Sequence, residues 1–171
     1  MTPEFGQHAE FIELIHEHQG ILHKVCWLYA LDPADREDLF QDMVMQLWRS
    51  FSSFRGQSSF STWMYRVALN TALMHRRKNS RTIQLQSSAD EPVASTRPDD
   101  AQLEEDIELL RRCIQELPQL DRAIILLYLE QHSYDQIAEI TGLTRTNVSV
   151  RIVRIKDRLR ELLAGKGCTR E

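Results

Sequence analysis

Trp63, Arg66, Asn70, Leu73 and Arg77 recur at intervals of three and four residues, which lines an indole, an amide and two guanidinium groups along one stripe of a helix. Each of these groups has a defined use: aromatic rings stack on unpaired bases, an amide bonds a base edge, and arginines neutralise phosphates. The set suits a separated nucleic-acid strand better than a closed duplex. It lies within FRGQSSFSTWMYRVALNTALMHRRK, residues 54–78, which is rich in aromatic residues and closes on Arg76, Arg77 and Lys78. A plainer arrangement fits the same residues, with Trp63 and Tyr65 completing a small core and the basic end solvated. On the pattern alone the two stand level. A neighbouring stripe, Phe60, Met64, Val67, Thr71 and Met74, is expected to face the core.

A second basic element lies near the other end of the chain. Residues 144–160 hold six bases against Asp157 alone. Here a short helix from Tyr134 to Ile140 runs into a turn at Gly142, and a longer helix starts after Thr144, which is placed to cap it. That is a helix-turn-helix pattern. In the second helix Val148, Ile152, Ile155, Leu159 and Leu162 form the buried stripe, while Arg145, Asn147, Ser149, Arg151 and Arg154 lie outside it. In a groove-inserted helix, arginine suits guanine and asparagine suits adenine. A basic, solvated helix in an ordinary bundle carries the same pattern, but the glycine turn followed by a basic face on the second helix alone favours DNA. The preceding helices, with Leu109, Leu110, Ile114, Leu117, Ile124 and Leu127 interrupted at Pro118, read as core.

Along DREDLFQDMVMQLWRSF, Phe40, Met43, Val44, Leu47 and Phe51 make one stripe, and Asp38, Gln41, Asp42 and Met45 lie toward the other side, with Asp32 or Asp35 as the cap. An acidic, polar face beside Trp48 is what a partner-docking helix presents, and equally what a solvated face presents.

These elements must be positioned by an all-α fold. The 171 residues contain only six glycines and five prolines, strand-like alternation is missing, and apolar residues recur at helical spacing almost throughout. Residues 86–102, QSSADEPVASTRPDDAQ, nearly lack large apolar groups and cannot bury enough surface to offset their ordering entropy. Two small helical domains are therefore expected, residues 1–82 and 103–165, joined by a flexible acidic linker over 83–102 and followed by a tail at 166–171. The net charge of −4 hides a strong asymmetry: residues 87–108 carry eight acids against Arg97, whereas 74–82 carry four bases and no acid. Three widely separated cysteines fit neither a disulfide framework nor a paired zinc motif and read as reduced thiols of a cytoplasmic protein. Glu4 and Glu10 stand where a signal peptide is basic, and the strongest apolar run, AIILLYL at 123–129, is far too short to span a bilayer. No cofactor is called for: there is no glycine-rich phosphate loop and no nucleophile elbow. His16, His18, His23 and Cys26 are the nearest approach to a metal set, but His16 and His18 point to different sides of a helix, so no metal site is expected.

In this order, the motifs resemble the extracytoplasmic-function (ECF) class of sigma-70 RNA polymerase sigma factors, and the resemblance covers nearly the whole chain. DREDLFQDMVMQLW is similar to the polymerase-binding helix of sigma region 2, and FRGQSSFSTWMYRVALNTALMHRRK to its promoter-melting segment. LPQLDRAIILLYLEQHSYDQIAEITGLT resembles the lead into the region 4 helix that reads the −35 element. The resemblance implies an alternative sigma factor, without catalytic residues of its own, that binds core RNA polymerase and promoter DNA and is held in check by an anti-sigma factor. It implies that Asp38, Gln41, Asp42 and Trp48 dock polymerase. Phe54, the following loop and Asn70 would capture a flipped base of the −10 element, and Trp63, Arg66, Arg76, Arg77 and Lys78 would hold the upstream edge and backbone. Arg145, Asn147, Ser149, Arg151 and Arg154 would read the −35 element, and the acidic linker would thread the RNA path of polymerase. The recognition helix departs from the family: TNVSVR at 146–151 stands where Gly-Thr-Val-Lys-Ser-Arg is usual, and Ile155 where a small residue is common. A helix-turn-helix regulator that never engages polymerase accounts for 103–165 but leaves 38–78 unexplained.

Overall fold

A computed structural model describes residues 3–30, 32–80 and 98–167. Among them are seven helices and no strand: α1 (Pro3–Tyr29), α2 (Pro33–Phe51), α3 (Phe60–Ser80), α4 (Pro98–Gln115), α5 (Gln119–Leu129), α6 (Tyr134–Thr141) and α7 (Arg145–Gly167). They form two compact units, α1 to α3 and α4 to α7, each built around its own core.

In the first unit the break between α1 and α2 is set by local chemistry. Asp32 caps α2 by accepting from the Asp35 amide at 3.3 Å, and Pro33 takes the first helical positions, where its missing N–H costs nothing. Arg36 then reaches back, its Nε donating to the Ala30 carbonyl at 3.0 Å, so the end of α1 is satisfied from α2. Leu22, Val25 and Leu28 of α1 meet Leu39, Met43 and Leu47 of α2, all fully buried. The third wall corrects the expected register. On α3 the core face is Met64, Tyr65, Ala68, Leu69 and Ala72, while Phe60, Val67 and Thr71 are only half-buried and Met74 is 70% exposed. Two alanines at the contact let the α3 backbone approach its neighbours closely, and a reading weighted toward large apolar side chains passes over them.

In the second unit, Cys113 of α4, Leu117 of the turn that follows it, Ile124 and Leu127 of α5, Ile137 of α6 and Val148, Ile152 and Ile155 of α7 share the core. Helix α4 begins at Pro98, so residues 98–102, expected in the linker, are helical; proline is well suited to a first helical turn. The rest of the expected linker, up to residue 97, lies outside the described residues. Arg122 is buried and pins the end of α4, donating through Nε to the Leu117 carbonyl at 2.8 Å and through its second arm to the Gln115 carbonyl. Ser133 and Gln136 form a reciprocal capping box that starts α6, and Gly142, with φ of 74°, ends it in the left-handed conformation that glycine adopts freely. The Asn147 amide donates to Thr144 Oγ1 at 3.2 Å, so Thr144 caps α7.

Candidate nucleic-acid interface

The turn between α2 and α3 builds the aromatic end of the site. Ser59 caps α3, its hydroxyl accepting from the Thr62 amide at 3.2 Å, and Gly56 supplies a φ of 67° in the loop before it. Phe54 folds back onto α3, with its ring 5.6 Å from Phe60 and 5.1 Å from Trp63. Phe51 is 6.4 Å from both of those rings. Three half-buried aromatic side chains, Phe54, Phe60 and Trp63, thus make one platform at the start of α3, backed by the buried Phe51 of α2. Of the two aromatic residues, Tyr65 is core, whereas Trp63 is half-buried with one side in the cluster. Further along the same helix Arg66 and Arg76 are half-buried and Asn70 and Arg77 are exposed. Lys78 lies where the side chain is outside the described residues.

The outer face of α2 displays Asp38, Gln41 and Asp42 to solvent. Trp48 is also exposed at its rim, but its ring packs edge-on against Phe11 and His8 of α1, each with centroids 5.0 Å apart, so it is held rather than loose. Sequence reading missed the residue that ties this face to α3. His75 lies between two carboxylates of α2, its Nε2 2.8 Å from Asp35 Oδ1 and its Nδ1 2.9 Å from Asp42 Oδ2, and its side chain is only 9% exposed. Burial alone pulls the imidazole pKa down, but the hydrogen bonds to Asp35 and Asp42 outweigh it, and the net shift is upward. The helix that carries the acidic face is therefore bridged to the helix that carries the aromatic and basic groups.

Three of the four residues nearest to a metal set are otherwise engaged. His18 packs against Phe60 and His23 stacks on Phe40, and Cys26 donates weakly to the Arg36 carbonyl. Burial, offset in part by Arg36 and reinforced by Asp35, pushes the Cys26 thiol up to about 11, which keeps it protonated and unreactive. Among the described residues no group of three His, Cys, Asp or Glu side chains is placed to hold a metal ion.

In the second unit the exposed side of α7 has a shallow concavity lined by Asp121, Leu143, Asn147, Val150, Arg151 and Arg154. Asn147 and Arg154 are exposed there. Arg151 is not free to roam: its Nη1 bonds Asp121 Oδ1 of α5 at 2.6 Å. Arg145 makes a long, exposed pair with Asp135 at 3.7 Å, which contributes little. Ser149 is half-buried and lies outside the concavity. Lys156 is fixed inward, 2.7 Å from the Tyr128 hydroxyl and 4.1 Å from its ring centre.

Comparison with known proteins gives this geometry its context. Residues 14–82 match Sigma-70 region 2 and residues 107–159 match Sigma-70, region 4. The chain is 33% identical to the ECF RNA polymerase sigma-E factor of Haemophilus influenzae across 72% of this chain and 71% of that protein. It is 30% identical to the ECF RNA polymerase sigma-E factor of Escherichia coli across 89% and 85%. The chain belongs to the ECF class of the sigma-70 family. It is an alternative sigma factor, directing promoter-specific transcription initiation. The RNA polymerase sigma-H factor of Pseudomonas aeruginosa is also similar, 29% identical across 92% of this sigma factor and 88% of its own length. Two solved structures share its fold. The sigma factor RpoE of Bartonella quintana, solved with the anti-sigma factor NepR, matches over 91% of this chain and 97% of its own at TM-score 0.72 and 23% identity. CnrH, solved with the cytosolic domain of CnrY, covers 91% at TM-score 0.65 and 20% identity. In this sigma factor region 2 ends on α3 and its aromatic platform, and region 4 contains the helix-turn-helix of α6 and α7.

Proposed function

We propose that this sigma factor docks core RNA polymerase through Asp38, Gln41, Asp42 and Trp48 on α2 and opens the promoter with α3 and the loop before it. Phe54, its loop and Asn70 take a flipped non-template base of the −10 element; Trp63, Arg66, Arg76, Arg77 and Lys78 hold the upstream edge and backbone. Extruding one base costs a few kcal/mol, which stacking and phosphate contacts offset without ATP. Arg145, Asn147, Ser149, Arg151 and Arg154 engage the −35 element, with Arg151 oriented by Asp121. The units of residues 1–82 and 103–165 act as the two promoter-binding domains. The initiation subunit contributes no catalytic group of its own and works in the cytoplasm; no described helix is long and apolar enough to cross a membrane. An anti-sigma factor controls it by covering the polymerase-docking surfaces; the RpoE of similar fold was solved in complex with an anti-sigma factor.

The observation that carries this reading is the single helix α3, which presents an aromatic platform at one end and exposed Asn70 and Arg77 beyond it, and is bridged by His75 to the acidic face of α2. The test is transcription in vitro with purified core polymerase, the full chain and sheared bacterial DNA, mapping RNA 5′ ends. Discrete new starts are expected, lost with Asn70→Ala through failed opening and with Asp42→Ala through failed polymerase binding. Starts that survive both substitutions would overturn the assignment.

A further inference from the structure

The face of α7 opposite its buried stripe carries two apolar side chains that none of the assigned roles uses. Val150 and Val153 are 44% and 59% exposed, three residues apart on one side of the helix. Valine is a weaker helix former than the straight-chain polar residues usual at solvated positions, so the helix gains nothing locally from them. Their neighbours are informative. Asn147 and Arg154 are exposed beside Val150, Arg151 stands at the edge under the hold of Asp121, and all four line the same concavity. Asp157, the acid nearest this face in sequence, is paired with Arg160 at 2.5 Å. With Asp121, which also lines the concavity, offset by Arg151, the exposed Arg154 leaves the apolar strip with a net positive edge, which is complementary to a polyanion that displays a few apolar groups. Duplex DNA is such a partner. In its major groove the apolar group offered by the base edges is the 5-methyl of thymine.

We infer that Val150 and Val153 are specificity-determining residues that receive thymine methyl groups in the −35 element, beside a base bonded by Asn147. The inference rests on the assignment of α7 to that element. The spacing fits: three residues rise about 4.5 Å along a helix, against about 3.4 Å per base step, so the two valines meet thymines on neighbouring or next-neighbouring steps. It also explains how a helix with Val150 and Ser149 in its recognition run selects a sequence: methyl contacts take the place of polar ones.

The test uses holoenzyme assembled from core polymerase and the full chain. Selection on promoters randomised across the −35 element is expected to enrich thymine at one or two fixed positions. Replacing those thymidines by deoxyuridine, which differs only in lacking the methyl, is expected to weaken binding by about fourfold per position, the effect of one lost buried methyl group. Val150→Ser and Val153→Ser each remove the enrichment and the deoxyuridine effect at one position; both sites are exposed, and unchanged thermal melting confirms intact folding. Enrichment without thymine, or an undiminished deoxyuridine effect in both variants, would overturn the inference while leaving α7 as the −35 reader. Selection of no −35 sequence at all by an otherwise active holoenzyme would overturn both.

Discussion

Single residues carry the coupling between the two faces of the first unit, and His75 is the clearest case. Its partners are 33 and 40 residues away in sequence, so no periodic pattern marks it; within MHRRK it looks like one more solvated base. What was legible at this scale were exposed groups on regular stripes, Asn70 and Arg77 among them, because helical spacing alone sets their direction. Helical spacing directs Arg151 outward with them, and the structure half-buries it against Asp121, again through a long-range partner. The His75 bridge has a pH signature. Its pKa is raised in the folded state, so the stabilisation it supplies is fully present below the unfolded pKa of about 6.5 and is lost as pH rises through the higher folded value. Denaturant unfolding of the first unit should show His75→Gln costing about 1–2 kcal/mol at pH 6, a charge-assisted bond discounted because Asp42 is 51% exposed, and distinctly less at pH 9. An equal cost at both pH values would mean that the imidazolium is not what bridges α2 and α3.

Elements were legible where local chemistry decides them and misread where packing does. The turn at Gly142 and the cap at Thr144 follow from residues that satisfy helix ends, and both stand in the structure; of the two candidate caps for α2, Asp32 and Asp35, the structure takes Asp32. The inward face of α3 was displaced by about one residue position because Ala68 and Ala72, small and weakly hydrophobic, fill a close contact that a list of large apolar residues does not reveal. The early start of α4 was hidden by a polar composition that discourages a helix until the rest of α4 supplies a buried stripe to extend from. The helix-turn-helix corner lends itself to a direct test. At Gly142 a Cβ would meet nothing within 4 Å, so any cost of adding one is conformational and not steric. Gly142→Ala should therefore destabilise the second unit by about 1–2 kcal/mol through its φ of 74°. Ser133→Ala should cost about 1 kcal/mol by opening the capping box. Chemical denaturation followed by helical circular dichroism measures both, and a neutral Gly142→Ala would show that the corner relaxes out of the left-handed conformation.

At the scale of the whole molecule, the composition break over 86–102 already divided the chain, and the two units found are the consequence of apolar stripes that close on themselves on either side of it. Charge adds a reason for the division of labour. Residues 1–82 hold nine acids and nine bases, so the end of α3 proposed to face DNA is basic only locally, and net attraction to a polyanion has to come from the placement of charges and not from their sum. A chain with two cores should also fail in two separate steps. Leu47 of α2 and Leu127 of α5 are each fully buried, one in each core. Truncating either to alanine removes transfer energy and leaves a cavity, a cost of about 2–5 kcal/mol that is a large share of what so small a core supplies. Amide hydrogen exchange on the full chain should then show Leu47→Ala stripping protection from α1 to α3 while α4 to α7 keep theirs, and Leu127→Ala doing the reverse. Loss of protection across all seven helices from either substitution would mean that the units fold as one cooperative body, and polymerase docking and −35 reading would then have to rise and fall together in every destabilised variant instead of separately.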